Sequence, residues 1–164
     1  MSGGKTMWAP WRIGYILGEK PDGCVLCDMP KMDEDERNHI IHRGTTCYVI
    51  MNLYPYNNGH LMIVPFRHLS DYENLTSAEL AESAELTARA VRALKKAMKP
   101  DGFNIGVNLG KAGGAGIDEH LHVHIVPRWS GDINFMTAVG GVRVIPQCLE
   151  ETYHTLKEAF ASVE

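Results

Sequence analysis

No run in this sequence approaches the roughly 18 consecutive apolar residues that a membrane-spanning helix needs. A membrane partner is therefore not expected. An excess of positive charge is also missing: 16 Lys and Arg stand against 20 Asp and Glu, a formal net charge of -4. That balance argues against a protein that grips a nucleic acid polymer by bulk charge. It leaves room for a small phosphate-bearing ligand, because a local site can be basic inside an acidic chain. There are no internal repeats and no low-complexity tracts. The stretch from Met1 to Pro10 has one lysine and no apolar core of a secretory leader, so a cytoplasmic protein is expected. Cysteine is scarce: Cys24, Cys27, Cys47 and Cys148 are the complete set. In a reducing compartment they do not read as a disulfide framework, and the close pair Cys24/Cys27 points to metal or redox chemistry.

The 164 residues suit one domain, with 45% hydrophobic and 22% charged residues, close to the globular average. The first 45 residues are irregular in pattern, and Lys31 to Arg37 reads as a solvated loop. Cys47–Met51 and His60–Val64 read as strands joined by a turn-rich segment, Tyr54 to Gly59. A capping box, Thr76-Ser77-Ala78-Glu79, opens a helix that ends at Pro100-Asp101-Gly102. Its apolar stripe is expected at Leu80, Ala84, Thr87, Val91, Leu94 and Met98. Acidic residues gather in its first half and basic ones in its second, which suits the helix dipole. Phe103 to Leu109 alternates, with Phe103, Ile105, Val107 and Leu109 on one face. A Gly-rich loop, Gly110 to Gly116, leads to another alternating strand, His120 to Pro127. A last helix is expected from near Pro146 to about Ser162. Together these predict an antiparallel α+β fold.

His120-Leu121-His122-Val123-His124 is the most informative segment. Strand alternation places the three histidines on one face and the apolar residues on the other. Three adjacent imidazoles carry too many donors and acceptors to be buried unpaired, so the histidine face is expected to be more than core. A metal site made of all three is disfavoured, because a flat strand does not aim alternate side chains at one point.

The motif, completed by Ile125 and Val126, resembles that of the histidine triad family. Asn52-Leu53-Tyr54-Pro55, Gly59 to Pro65, and Asn108 with the Gly loop resemble the same family, so the likeness covers about residues 24–128. The flanks, Met7 to Arg12 and Pro127 to Met136, resemble the bacterial branch that includes diadenosine tetraphosphate phosphorylases. The resemblance implies a single domain, 1–164, with branch-specific extensions. It implies a nucleotidyl hydrolase or transferase acting on a nucleoside 5′-phosphoryl bond, with adenosine-type dinucleoside polyphosphates as the substrate class. His122 would attack the α-phosphorus and form a nucleotidyl-histidine, which needs a neutral imidazole with its tautomer fixed. His124 would donate to a phosphoryl oxygen. His60 would complete the histidine network, or else be a buried structural histidine. Asn52 would bind the ribose hydroxyls, although an Asn there also initiates turns. Asn108, Gly114, Ala115 and Gly116 would meet phosphate oxygens, with His122 and His124 beside them.

Phosphorylases of this branch carry a serine near Gly116, which leaves hydrolysis and phosphorolysis both open. Transfer to a sugar phosphate is disfavoured, because that branch has Gln where this chain has His124. A nucleotide-binding sensor with little turnover is the competing function. For Cys24 and Cys27, a scan along the chain offers His39 and His42 as partners. The resemblance offers His68 and His120 instead, giving a structural zinc site of Cys24, Cys27, His68 and His120. A redox pair is disfavoured, because nothing around it reads as a strand followed by a helix. Cys47 and Cys148 read as buried thiols. The resemblance also implies a homodimer, with Trp129 and Ile133 to Val144 able to reach the partner's site.

Overall fold

The computed structural model describes residues 23–132 and 144–164. The flank Met7 to Arg12 and the segment Ile133 to Arg143 lie outside the described residues. Five antiparallel strands form one sheet: β1 (Ile40–Arg43), β2 (Cys47–Met51), β3 (Leu61–Pro65), β4 (Gly102–Val107) and β5 (Val123–Arg128). Their order is β1-β2-β3-β5-β4, so the histidine strand is interior and β4 is an edge. Among the described residues, three α-helices accompany the sheet: α1 (Val25–Asp28), α2 (Ser77–Met98) and α3 (Leu149–Ala161). The α+β expectation holds. The strand β1 was not foreseen, because its pattern is interrupted by a bulge and by His39, which adopts φ 56°.

Each face of the sheet buries its own apolar set. On one, Val49, Met51, Leu61, Ile63 and Ile125 meet Leu86, Ala90, Ala93 and Leu94 of α2, and Leu156 and Phe160 of α3. On the other, Ile40, Tyr48, Ile50, Met62 and Val64 are covered by Leu26 of α1. Strand alternation divides β2 between the two, which is why all five of its residues are buried.

The helix α2 begins as expected: the Thr76 hydroxyl accepts from the Glu79 N–H, and the Glu79 carboxylate accepts from the Thr76 N–H. Of its expected apolar stripe, Leu94 is buried and Val91 and Met98 pack against the core, but the first turns differ. Leu80 is 40% exposed and Ala84 is exposed, while Leu86, Ala90, Ala93 and Leu94 are buried. Ala90 and Ala93 are small, which lets the helix pack close to the sheet.

The early acids of α2 are committed to specific partners beyond the dipole. Glu79 is buried against Arg67, and that guanidinium, with the Thr76 groups, holds its carboxyl at about 2. Glu82 accepts from the N–H groups of Thr45, Thr46 and Cys47 and from the Thr46 hydroxyl. Burial alone would raise its pKa, but those donors bring it to about 2. The β1–β2 turn is thus clamped to the helix, and a Cβ on Gly44 would lie 2.5 Å from the Glu82 oxygen. In the β2–β3 hairpin, Gly59 takes φ 72° and packs against Met98 and Leu94 of α2.

Cys47 is fully buried, as expected, but Cys148 is exposed at the N-cap of α3. A cap position faces solvent, so that thiol is not part of the core. Leu109 lies beyond β4 and is 49% exposed, and Ile105 is 50% exposed. The alternation in this strand is real, but α2 does not reach the sheet edge to cover it.

Candidate active site

The strand β5 and the residues just before it project His120, His122 and His124 from one face. All three are buried, His120 completely. They are buried but not unpaired: each imidazole meets a group that fixes its tautomer.

The Nδ1 of His122 lies 2.8 Å from the carbonyl oxygen of His120. A carbonyl only accepts, so the proton is on Nδ1 and Nε2 carries a lone pair. Among the described residues, the single buried side-chain polar atom without a partner is His39 Nδ1. The Nε2 lone pair of His122 is not taken up by any of the described residues.

His124 is fixed by a longer route. The N–H of Tyr56 donates to His60 Nδ1 at 3.1 Å, and the Asn52 amide nitrogen lies 3.3 Å from the same atom. His60 therefore carries its proton on Nε2, 3.0 Å from His124 Nδ1. His124 accepts there and holds its own proton on Nε2. Burial, then the neighbouring imidazoles, lowers the pKa of His60 to about 3 and of His124 to about 4, so both are neutral near pH 7. The Tyr56 ring packs on both, 4.7 Å from His60 and 5.5 Å from His124. One face thus offers a lone pair on His122 beside an N–H on His124, their rings 4.7 Å apart.

Asn108 brings its amide within 3.5 Å of His124 Nε2 from the end of β4, too long for more than a contact. The Asn52 oxygen accepts from the Tyr54 N–H at 2.8 Å, so the turn role and the position beside His60 are both observed. In the Gly loop, a 3₁₀ turn uses the N–H groups of Gly113, Gly114 and Ala115 internally. The Gly116 amide takes no such internal partner, and a Cβ there would meet nothing within 4 Å.

Away from His122, His120 turns to a different cluster. Its Nε2 lies 2.9 Å from the Pro65 carbonyl oxygen, which places the proton there. Its Nδ1 then offers a lone pair toward Cys24 Sγ at 3.2 Å and Cys27 Sγ at 3.4 Å. His68 Nδ1 lies 3.3 Å from Cys27 Sγ. The four ligand atoms all fall within 4.8 Å of one another. Two sulfurs and two imidazole nitrogens are the donor set of a closed tetrahedral site, and the Pro65 contact orients the buried ligand. Burial and the neighbouring Cys24 raise the Cys27 thiol to about 11.

His39 and His42 do not join this set. His39 meets Tyr153 edge-on, and His42 packs on Phe160. The pair Cys24/Cys27 does open a short helix, with Cys24 at the N-cap of α1, although no described strand precedes it. Trp129 donates from its indole to Met98 O of its own chain. Sequence reading missed the Tyr56 N–H, the Pro65 carbonyl and Asn57, which is buried and donates to Pro127 O at 3.0 Å. The first two are backbone groups, whose roles leave no trace in residue type.

The HIT domain model matches residues 34–131. The chain is 42% identical to AP-4-A phosphorylase of Mycobacterium tuberculosis, over 96% of this chain and 85% of that one. It is 27% identical to the asymmetrical bis(5′-nucleosyl)-tetraphosphatase of Schizosaccharomyces pombe, over 59% of this chain and 53% of that one. Among solved structures, a Zn-bound histidine triad family protein from Mycobacterium smegmatis is 29% identical, with a TM-score of 0.70 over 85% of this chain and 94% of that one. With the triad, its flanking hairpin and the fold in agreement, this chain belongs to the histidine triad (HIT domain) family.

Proposed function

We propose that this protein cleaves a nucleoside 5′-phosphoryl bond of a dinucleoside polyphosphate through a nucleotidyl-His122 intermediate. The observation that carries this reading is the 2.8 Å contact from His122 Nδ1 to the His120 carbonyl oxygen, which frees Nε2 as the nucleophile. The Nε2 lone pair attacks the α-phosphorus, and the bond to the departing phosphate oxygen breaks. The N–H of His124, held by His60, donates to a phosphoryl oxygen as charge develops. Asn52 contributes to the ribose site. Asn108 and the Gly114, Ala115 and Gly116 stretch line the phosphate site, where the amide of Gly116 is the one in that stretch without an internal partner.

The acceptor that breaks the P–N bond is water or inorganic phosphate. The 42% identity to a phosphorylase favours phosphate. The missing hydroxyl at Gly116 favours water. Products decide: with diadenosine tetraphosphate, AMP and ATP formed without phosphate mean hydrolysis, and ADP formed only with phosphate means phosphorolysis. Bound nucleotide with no product overturns the enzyme reading and leaves a sensor.

Cys24, Cys27, His68 and His120 would hold a zinc ion, which supplies structural cross-linking there rather than chemistry on the substrate. Thiols that serve as ligands must stay reduced, which suits the cytoplasm. The edge strand β4, with Ile105 and Leu109 exposed beside it, is suited to pairing with a second copy in a homodimer.

A further inference from the structure

We propose that Cys24 and Cys27 form a redox site whose oxidation to a disulfide switches off His122. This rests on the reading of His122 as nucleophile and of the four-ligand cluster as a metal site. Both cysteine sulfurs face one atom, His120 Nδ1, at 3.2 and 3.4 Å. The two residues share one helical turn, with the Cys27 N–H donating to the Cys24 carbonyl at 2.9 Å. Both side chains are partly exposed, so an oxidant can reach them. The same His120 presents its carbonyl to His122 Nδ1. A single residue therefore ties the sulfur pair to the atom that sets the nucleophile's tautomer.

The oxidant is hydrogen peroxide. One thiolate attacks a peroxide oxygen, the O–O bond breaks, and a sulfenic acid forms. The second thiolate displaces water from it and the S–S bond forms. Two electrons pass from the sulfurs to the peroxide, which leaves as two waters after taking up two protons. The disulfide no longer supplies charged ligands, so His68 and His120 alone cannot retain the metal. His120 then keeps a fully buried Nδ1 with no partner. Such an atom is costly to leave unpaired, so the ring reorients and its carbonyl moves with it. His122 loses its fixed tautomer.

The test uses the zinc-loaded chain carrying Cys148→Ser, which removes the exposed thiol from the reaction. Peroxide is added, and four quantities are followed: zinc release, peptide mapping of the disulfide, the His122 tautomer by ¹⁵N NMR, and turnover. Expected are one Cys24–Cys27 disulfide and one zinc released per chain, with loss of the Nδ1–H signature of His122. Turnover should fall about 10–100-fold, the range for losing a group that orients a ligand. A thiol reductant with zinc should restore all of them. Zinc retained at peroxide levels that fully oxidise Cys148 in the unsubstituted chain would overturn the proposal. So would a mapped disulfide with the His122 signature unchanged, or a chain that takes up no zinc. If no state of the protein turns over nucleotide, the catalytic reading fails. The metal and NMR readouts still decide the switch.

Discussion

The chemistry of this site is set by which nitrogen of each imidazole carries its proton. His122 is locked by a carbonyl two residues earlier in the chain, and His124 by a relay that begins at the N–H of Tyr56. Replacing His124 with Ala removes the donor aimed at the phosphoryl oxygen, and turnover should drop about 10²–10³-fold with nucleotide affinity little changed. Steady-state kinetics beside equilibrium binding would check this, and equal losses in both would contradict it. The triad and the Cys24/Cys27 pair were legible in residue type and spacing, whereas His60, Asn52 and the ligand pair His68/His120 came from the family resemblance, since spacing alone offered His39 and His42. The fixed tautomer of His122 was expected from the resemblance, which places a backbone carbonyl of the motif beside it. Those of His60, His124 and His120 were not, because Tyr56 and Pro65 act through backbone atoms that any residue possesses. Counting donors and acceptors required that buried imidazoles be paired, and the folded chain pairs them.

Elements were read better at their starts than along their faces. The capping box located α2 to the residue, since Thr76 and Glu79 satisfy each other's backbone groups. Its buried face was right at Val91, Leu94 and Met98 but missed Leu86, Ala90 and Ala93 and included the exposed Leu80 and Ala84. The clamp by Glu82 could not be foreseen, because Thr45, Thr46 and Cys47 lie more than thirty residues away in sequence. Substituting Glu82 with Ala strands three backbone donors and should cost about 2–3 kcal/mol, read as a lower urea midpoint at pH 7. An unchanged midpoint would mean the turn holds without the clamp. At the other side of the sheet, β4 exposes Ile105 on a strand that is the sheet edge among the described residues. Ile105→Glu should convert a dimer to monomers in analytical ultracentrifugation with catalytic groups untouched. A dimer that survives this change places the contact elsewhere.

For the molecule as a whole, two neutral buried histidines shape the response to acid. The unfolded chain takes up protons near pH 6.5, whereas His124 and His60 in the fold wait until about 4 and about 3. Between those limits the unfolded state binds more protons. Stability is therefore fully present above about pH 6.5 and falls on acidification, by about 1.4 kcal/mol per pH unit for each histidine. Glu79 and Glu82, held at about 2, add a further loss only below the ordinary carboxylate range near 4.5. Urea unfolding at pH 7, 6 and 5 would reveal the histidine slope, and His60→Asn should make it shallower. A flat profile would mean these rings take up protons in the fold as readily as in the unfolded chain.

The central claim is that His122 becomes covalently nucleotidylated. The most direct measurement is rapid acid quenching of the protein with diadenosine tetraphosphate, followed by intact-mass and peptide mass spectrometry. The account predicts a mass increase of one adenylyl group, located on His122 and absent from His122→Ala, which still binds nucleotide. An adduct on another residue, or rapid turnover with no adduct at any quench time, would contradict it.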